Sequence, residues 1–362
     1  MSIETLFNGL SFCSLCISGT LCVLLIFIRA PKKQALMPYH NTRIGLIFSF
    51  LMVTSLSLLL LYNDFTPNIE RDLLSLNTLS ISSFQLFVFS GTLIIMLDYR
   101  AYTLRRAFRE ILITLSFSIL GFLFFILHEW TLLHDFFWVF GAYYAIQIIR
   151  YTLYFFKIKK RTVSTLDNFF SEETATRLKW TCRVFVWLLT GSILSFLSLY
   201  MDMRFYLFFA VFYTFFYLYF SIHYLNYVTL FLDMEPAFSI TEDSPIKDKY
   251  SNKSFDQLEK AIEDWEMHKF FVEPGITIEQ VAMQLRSNRT YVSTHMNLHR
   301  KMTFKEWINH LRIEEAKNLL QINPEMPVSQ IGTMVGLPDK SNFGRQFSRL
   351  TGKSPKAWRK DQ

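Results

Sequence analysis

The chain has 362 residues, of which 51% are hydrophobic, 17% aromatic and only 19% charged, with a formal net charge of +7. Soluble domains carry about 25% charged residues, so this balance is too apolar for a protein that is soluble throughout. The four cysteines do not form the pattern of a disulfide framework, because three of them fall within one apolar run near the N-terminus. The composition therefore excludes a purely soluble protein and a small disulfide-stabilised one.

The apolar residues are concentrated before residue 233, and an ordinary polar sequence follows. A bilayer core requires about 20 apolar residues per helix. Seven stretches are predicted to be transmembrane helices, the third being the most polar: residues 6–28, 44–62, 76–97, 111–127, 136–156, 184–200 and 205–232. The first has no basic segment before it, so we interpret it as a retained span and not as a signal peptide.

Basic residues are distributed unevenly among the segments that connect these stretches. Alternate connecting segments contain fifteen basic residues in one set and two in the other. Because loops rich in lysine and arginine stay in the cytoplasm, the N-terminus is predicted outside and the C-terminus inside, which requires an odd number of spans. We therefore predict seven spans in a bacterial cytoplasmic membrane, with the lipid bilayer as a partner and an unidentified signal or small molecule as ligand.

Few residues of the apolar half suggest chemistry. His128, Glu129 and His134 crowd one predicted turn, but their spacing does not match a metal motif and a solvated turn is favoured. No carboxylate lies deep within a predicted span, which argues against a transporter. The aromatic residues of the seventh stretch either pack against helices and lipid or line a ligand pocket. We find no catalytic constellation and predict a protein that is not an enzyme and has no metal or cofactor.

Residues 233–254 are acidic and contain Pro236 and Pro245, which predicts a hinge between a membrane domain, residues 1–232, and a C-terminal domain, residues 255–362. An amphipathic helix is predicted from Phe255 to about Phe270. Its carboxylates disfavour contact with DNA, so it either packs on the domain or pairs with a second copy of the chain. Formation of a homodimer is left open.

Two similar helical units follow in the core of this domain, residues 276–359. Thr277 and Gln280 fit a capping box at the start of a short helix, and a second short helix begins after Ser287 or Asn288. Two short helices joined by a tight turn are typical of a helix-turn-helix. A longer apolar-faced helix is predicted from Phe304 to about residue 321.

The second unit starts at Val328, 51 residues after the first unit begins at Thr277. Gly336 suits a left-handed helix end, and Asp339 is the predicted N-cap of the next helix. The predicted fold class is therefore all-α, a seven-helix transmembrane bundle followed by a small soluble helical domain with two helix-turn-helix units. Two such units on one connecting helix can address adjacent major-groove segments about 34 Å apart.

The sequence of this domain resembles the AraC/XylS family of bacterial transcription regulators. The resemblance rests on residues 312–320 in the connecting helix, on Ile331 with residues 336–347 in the second unit, and on residues 351–355 with Trp358 and Arg359. It covers under a quarter of the chain and says nothing about the membrane half. It implies sequence-specific binding to promoter DNA, usually as an activator. The segment from residue 286 onward agrees with a nucleic-acid partner, since it has fourteen basic residues and six acidic ones.

The resemblance also implies which residues contact DNA. The base-reading candidates are Arg289, Thr290, Ser293 and Thr294 in the first unit and Lys340, Ser341 and Arg345 in the second. Arg345 is the strongest of these because arginine can bond guanine bidentately, although a phosphate contact or an ion pair is the alternative. The phosphate candidates are Arg286, Lys301, Lys353, Lys356 and Arg359.

Two positions depart from the family pattern. The family often has glycine where this chain has Arg286 and Lys301. A left-handed conformation there would cost a residue with a Cβ atom about 1 kcal/mol. Either these turns differ locally or the cost is accepted for additional phosphate contacts.

Together these patterns predict a membrane-bound one-component transcription regulator. The alternatives are a membrane receptor whose C-terminal domain binds a protein partner, and a small-molecule transporter with a regulatory tail. Proteolytic release of the C-terminal domain at residues 233–254 is a further hypothesis that rests only on the hinge composition.

Overall fold

The computed structural model describes residues 3–28, 36–62, 67–101, 103–172, 178–198, 203–238 and 252–361. Within these ranges the chain consists of helices and short turns, apart from an antiparallel bridge pair between Phe170 and Thr277. The predicted all-α fold is confirmed. The chain divides into two compact units. Unit 1 comprises Met1–Thr162 and Leu178–Asp233, and unit 2 comprises Val163–Arg177 and Met234–Gln362.

Unit 1 is built from long helices, and the last residues of two of them belong to unit 2. The helices are α1 (Ile3–Phe27), α2 (Met37–Tyr62), α3 (Pro67–Leu97), α4 (Leu104–Ile126), α5 (Trp130–Asp167), α6 (Lys179–Ser198) and α7 (Met203–Phe238). Among the described residues, six helices, α1 to α6, contain a stretch long and apolar enough to cross a membrane. The seventh predicted span lies within α7, so the total of seven stays a prediction.

Helix α3 is the most buried of helices α1 to α6. In its apolar stretch 89% of the residues are buried, against 44% or less in the other five. Its serine and glutamine side chains, which make its sequence the most polar, bond to other helices of unit 1: Ser82 to Ser195 at 2.5 Å, Ser83 to Gln147 at 2.8 Å and Gln85 to Tyr217 at 2.6 Å. Its polarity thus reflects a central position, where each polar group needs a protein partner.

Charged side chains of unit 1 pair near the start of α4. Arg150 of α5 forms an ion pair with Glu110, whose side chain is 2% exposed. Arg106 places its guanidinium 4.5 Å from the ring centre of Tyr154. A buried carboxylate therefore neutralises the charge of Arg150.

The turn between α4 and α5 contains the residues considered for metal binding. His128 has a left-handed backbone, with φ of 57°, and its Nδ1 lies 3.0 Å from the carbonyl oxygen of Ile126. In the part of the chain that the structure describes, no group of three or more histidine, cysteine or acidic residues is arranged to hold a metal ion.

Helix α7 continues beyond the end of the predicted seventh span. It reaches Phe238 and so includes the first residues of the predicted hinge. The continuation has a packing reason, because Phe231, Met234 and Ala237 recur at helical spacing and all are buried. Residues 239–251 of the predicted hinge lie outside the described residues.

The described residues of unit 2 form seven further α-helices: α8 (Asn252–Met267), α9 (Ile278–Gln284), α10 (Arg289–His295), α11 (Phe304–Ile322), α12 (Val328–Met334), α13 (Lys340–Thr351) and α14 (Pro355–Lys360). Helices α9 and α10 form the first helix-turn-helix, and α12 and α13 form the second. Helix α11 connects them and is about 28 Å long at 1.5 Å per residue. We call α10 the first reading helix and α13 the second reading helix.

Side-chain caps fix where these short helices begin. Thr277 and Gln280 form the predicted capping box, in which the Thr277 backbone N–H donates to the Gln280 side chain at 2.7 Å. Of the two candidates for the next cap the structure has Asn288, whose Oδ1 accepts the Tyr291 N–H at 2.8 Å. The predicted cap Asp339 accepts the N–H of residue 342 at 2.6 Å. Each cap stabilises its helix by about 1 kcal/mol.

Helix α11 buries apolar side chains along its whole length. Phe304, Trp307 and Ile308 are buried near its start. Its later residues join the core of the second unit, which comprises Ile313, Ala316, Leu320, Ile331, Val335, Leu337, Phe343 and Phe347. The sequence predicted an apolar face at the start of this helix, and the structure extends that face along its whole length.

Candidate nucleic-acid interface

The first reading helix has one buried face and one face open to a ligand. Tyr291 and Val292 are buried in the domain. Three of the predicted base-reading residues, Thr290, Ser293 and Thr294, are partly exposed. Their spacing of three and four residues puts them on one side of the helix, so they can face a DNA groove together.

Arg289, the fourth predicted base-reading residue of this helix, is engaged inside the protein. Its guanidinium carbon lies 4.5 Å from the ring centre of Phe169, and its Nη2 donates to the carbonyl oxygen of Ala237 at 3.0 Å. Burial lowers the pKa of Arg289 from its ordinary value, and the charge of Glu279 acts in the opposite direction. The structure therefore does not place Arg289 with the other candidates on the open face.

The second reading helix presents its predicted residues to solvent. Lys340, Ser341 and Arg345 are all exposed, whereas Phe343 and Phe347 are buried beneath them. The Arg345 Nη2 donates to the side-chain oxygen of residue 342 at 3.2 Å, which holds the guanidinium along the helix. This arrangement leaves the planar side chain of Arg345 at the surface, where it can meet a base edge.

The predicted phosphate-binding residues have three different environments. Lys356 is exposed, as are Arg286 and Lys301. Lys353 is exposed and pairs with an aspartate, its Nζ lying 2.8 Å from Asp361. Arg359 is half-buried and donates to the carbonyl oxygen of residue 326 at 2.7 Å. Arg359 thus joins α14 to the turn before α12, a structural contact that the sequence did not indicate.

The two departures from the family pattern both adopt the left-handed conformation. The φ angle is 49° at Arg286 and 52° at Lys301. The turns therefore do not differ locally, and a backbone strain of about 1 kcal/mol is accepted at each position, while the phosphate contacts stay a prediction. Both side chains project from the first helix-turn-helix.

A network of charged groups attaches α8 to the first helix-turn-helix. Arg300 donates to Glu259 at 2.7 Å and to Glu266 at 2.5 Å, and Glu259 also pairs with His295. The indole nitrogen of Trp307 donates to Glu266 at 2.7 Å. Burial alone would raise the pKa of Glu259, but the hydrogen bonds and charges of Arg300 and His295 outweigh it and lower that pKa.

This network was missed in the sequence, although its signal was present. The carboxylates of α8 had been interpreted only as a reason against DNA contact. Glu259 and Glu266 stand seven residues apart, close to two helical turns, and therefore lie on one face of α8. The structure shows that α8 packs on the domain, the first of the two arrangements considered.

A buried arginine supports the connecting helix. The Arg312 side chain donates through Nε to the carbonyl oxygen of Phe271 at 2.8 Å and through Nη2 to that of Glu273 at 2.6 Å. Burial lowers the pKa of Arg312 to about 10, with the charge of Glu172 acting in the opposite direction, so the group stays protonated at neutral pH. In the sequence Arg312 had stood out only as part of the family resemblance, and its role is positional.

Comparison with known proteins identifies this region. Residues 254–361 match a family described as a helix-turn-helix domain. The chain is 28% identical over 87 residues to the Msm operon regulatory protein of Streptococcus mutans, and 33% identical over 86 residues to the raffinose operon transcriptional regulatory protein RafR of Pediococcus pentosaceus. Each match covers 24% of this chain and 31% of the relative, so the chain spans about a third of the length of these relatives.

Among solved structures, the C-terminal domain of AraT, a response regulator from Geobacillus stearothermophilus, aligns at 24% identity and a TM-score of 0.27. The alignment covers 34% of this chain and 89% of that domain. The family match lies in the region whose sequence shows the AraC/XylS resemblance. The chain therefore carries at its C-terminus an AraC-type helix-turn-helix domain related to those of transcription regulators.

Proposed function

We propose that this chain is a membrane-bound one-component transcription regulator. Its C-terminal domain binds specific DNA, and its apolar helices anchor it in a bacterial cytoplasmic membrane and sense a signal there. The observation that carries the proposal is the pair of helix-turn-helix units on one connecting helix, with Lys340, Ser341 and Arg345 exposed on the second reading helix. This action involves no enzymatic step.

Charge and geometry support DNA as the partner. Residues 286–362 carry a net charge of +8, from fourteen basic and six acidic residues. Lysines and arginines on such a surface neutralise phosphates, while a few side chains on the reading helices select the base sequence. The relatives named above regulate operons, which agrees with promoter DNA as the target.

The surface of unit 1 supports a membrane environment. Large apolar side chains are exposed on its helices, for example Phe108, Ile119, Trp138 and Leu153, each at least 65% exposed. A soluble protein rarely exposes so much apolar surface, whereas lipid covers it without cost. The basic connecting segments favour an outside N-terminus and a cytoplasmic C-terminus, which places the basic domain on the side of the membrane where DNA is.

Selection of binding sites by the full-length protein tests this function. The chain is reconstituted in lipid nanodiscs and used to select from a random duplex library at near-physiological salt. Arg345→Ala is compared with Arg349→Ala, since Arg349 is an exposed arginine one turn further along the same helix. N-terminal residues of a reading helix approach the bases most closely, so only the first substitution should alter sequence preference.

We expect the wild type to enrich one motif. Arg345→Ala should lose about tenfold in affinity and accept other bases at one position of that motif, because one bidentate contact to guanine is removed. Arg349→Ala should keep the wild-type motif. Enrichment of no sequence, together with weak binding that disappears on addition of salt, would show that the charge attracts DNA without reading it and would contradict the proposal.

A further inference from the structure

A short segment that spans the end of α5 pairs with the backbone that leads into the first helix-turn-helix. Residues 166–172, which we call the clamp, belong to unit 2 together with the C-terminal domain. The Ile278 N–H donates to the carbonyl oxygen of Phe169 at 3.0 Å, and the Ser171 N–H donates to that of Ile276 at 3.3 Å. These two bonds flank the antiparallel bridge between the clamp and residue 277, the N-cap of α9.

Side chains strengthen this contact. Leu166, Phe169 and Ser171 are 1% exposed or less, so the clamp is packed as tightly as a protein core. The Asp167 carboxylate lies 2.9 Å from the Nζ of Lys305, at the start of the connecting helix. The clamp is therefore held by backbone bonds, apolar burial and an ion pair at the same time.

The clamp also engages a candidate DNA-reading side chain. The guanidinium of Arg289, the first residue of the first reading helix, lies over the ring of Phe169 and donates to the carbonyl oxygen of Ala237. An arginine that reads guanine must direct two N–H groups at the base edge. Arg289 cannot do so while its face covers Phe169 and one of its N–H groups is bonded to Ala237.

We propose that the clamp is an autoinhibitory element that competes with DNA for the first reading helix. This inference rests on the proposed function. In the clamped state Arg289 is withheld from DNA although Thr290, Ser293 and Thr294 stay partly exposed, and full recognition requires the clamp to detach and release Arg289. The group that engages Arg289 of the first reading helix in place of DNA is thus another segment of the same chain.

The position of the clamp in the chain suggests what controls it. Asp167 is the last residue of α5, and Ala237 lies in the last turn of α7. Both contacts of Arg289 thus come from residues at the ends of long apolar helices, Phe169 just after α5 and Ala237 within the last turn of α7. A signal that shifts the end of either helix would change the fraction of molecules in which the clamp is attached, and apparent DNA affinity follows that fraction.

A reversible disulfide tests the clamp directly. Phe170 and Thr277 form a non-hydrogen-bonded antiparallel pair, in which the residues on either side make the backbone hydrogen bonds. Their Cα atoms are expected about 4.5 Å apart, which suits a disulfide. Phe170→Cys and Thr277→Cys are combined in a full-length chain whose own cysteines, Cys13, Cys16, Cys22 and Cys182, are replaced by serine.

DNA binding is measured in nanodiscs with the duplex selected by the wild-type chain, before and after reduction. The oxidised protein should bind about tenfold more weakly than the same protein after reduction, because the bidentate base contact of Arg289 is withheld. Mobility on a non-reducing gel shows whether the disulfide has formed, and Phe170→Cys alone is the control for oxidation.

The outcomes separate the clamp from the proposed function. Equal binding by the oxidised and reduced forms would overturn the clamp and leave DNA recognition standing. Failure of the disulfide to form under oxidation would also overturn it, since residues 170 and 277 would not be neighbours. If neither wild type nor reduced variant binds any selected duplex, the proposed function fails and the clamp with it.

A second variant tests the clamp without new cysteines. Phe169→Ala removes the ring beneath Arg289 and should tighten DNA binding by about tenfold, since the clamped state loses a large, fully buried side chain. Phe270→Ala is the matched control, because Phe270 lies in the same unit and is 47% exposed. Unchanged affinity in both variants would contradict the clamp.

Discussion

Gly336 ends α12 at a point where the backbone of another segment approaches closely. Its φ is +81°, and a Cβ atom added there would lie 2.4 Å from the carbonyl oxygen of Val272. The flanking carbonyls, of Phe271 and Glu273, are fixed by Arg312, so Val272 cannot move away without disturbing those bonds. Gly336→Ala should therefore cost about 1 kcal/mol of backbone strain and about 2 kcal/mol for one lost bond to a charged group, or about 3 kcal/mol in total.

Gly352→Ala is the matched control. Gly352 also has a left-handed backbone, with φ of +76°, but an added Cβ would meet no atom within 4 Å. Gly352→Ala should lower the free energy of unfolding only by the backbone strain of about 1 kcal/mol. Amide hydrogen exchange of the full-length protein in nanodiscs measures both losses as the opening free energy of α11 and α12. Equal losses in the two variants would refute the argument that Val272 and Arg312 make position 336 intolerant of a side chain.

Two further predictions concern the first helix-turn-helix and its attachment to α8. Lys301→Gly should relieve up to about 1 kcal/mol of left-handed strain, seen as slower amide exchange in α10, and faster exchange would contradict the strain argument. If Lys301 contacts a phosphate, the same substitution should also reduce the salt dependence of DNA binding by about one unit of slope. Because the pKa of Glu259 is lowered, its pairing with Arg300 stabilises α8 fully above the ordinary glutamate pKa and is lost as the pH falls through the lowered value. The opening free energy of α8, obtained from amide exchange rates corrected for the intrinsic pH dependence of exchange, should therefore fall below about pH 4.5 in the wild type. The Glu259→Gln variant should show little such pH dependence, and equal pH dependence in both proteins would exclude Glu259 as the cause.

Local features of the sequence predicted much of the C-terminal domain. Thr277 and Asp339 were recognisable as caps, and Gly336 as a left-handed helix end, because such signals depend only on neighbouring residues. The apolar spacing at the start of α11 likewise predicted the burial of Phe304, Trp307 and Ile308. Boundaries were less accurate where burial extends a helix, as in α7, which continues past residue 232 to Phe238.

Contacts between distant parts of the chain could not be predicted in this way. Arg289 was assigned to base reading from its position in the motif, but its partners Phe169 and Ala237 are 120 and 52 residues away in the sequence. Arg312 was similarly inconspicuous, since its burial depends on carbonyl groups of a turn about 40 residues earlier. Spacing along one helix shows which face a residue occupies but does not identify what covers that face.

The most direct test of the account is the length of the DNA motif bound by the full-length chain in a membrane. Two helix-turn-helix units on one connecting helix should select two blocks of bases whose centres lie about 10 base pairs apart, one turn of DNA. We predict such a two-block motif in nanodisc selections, with Arg345→Ala weakening one block only. Selection of no motif, or the same result from a chain in which α13 is disrupted by Phe347→Asp, would contradict DNA recognition by this domain.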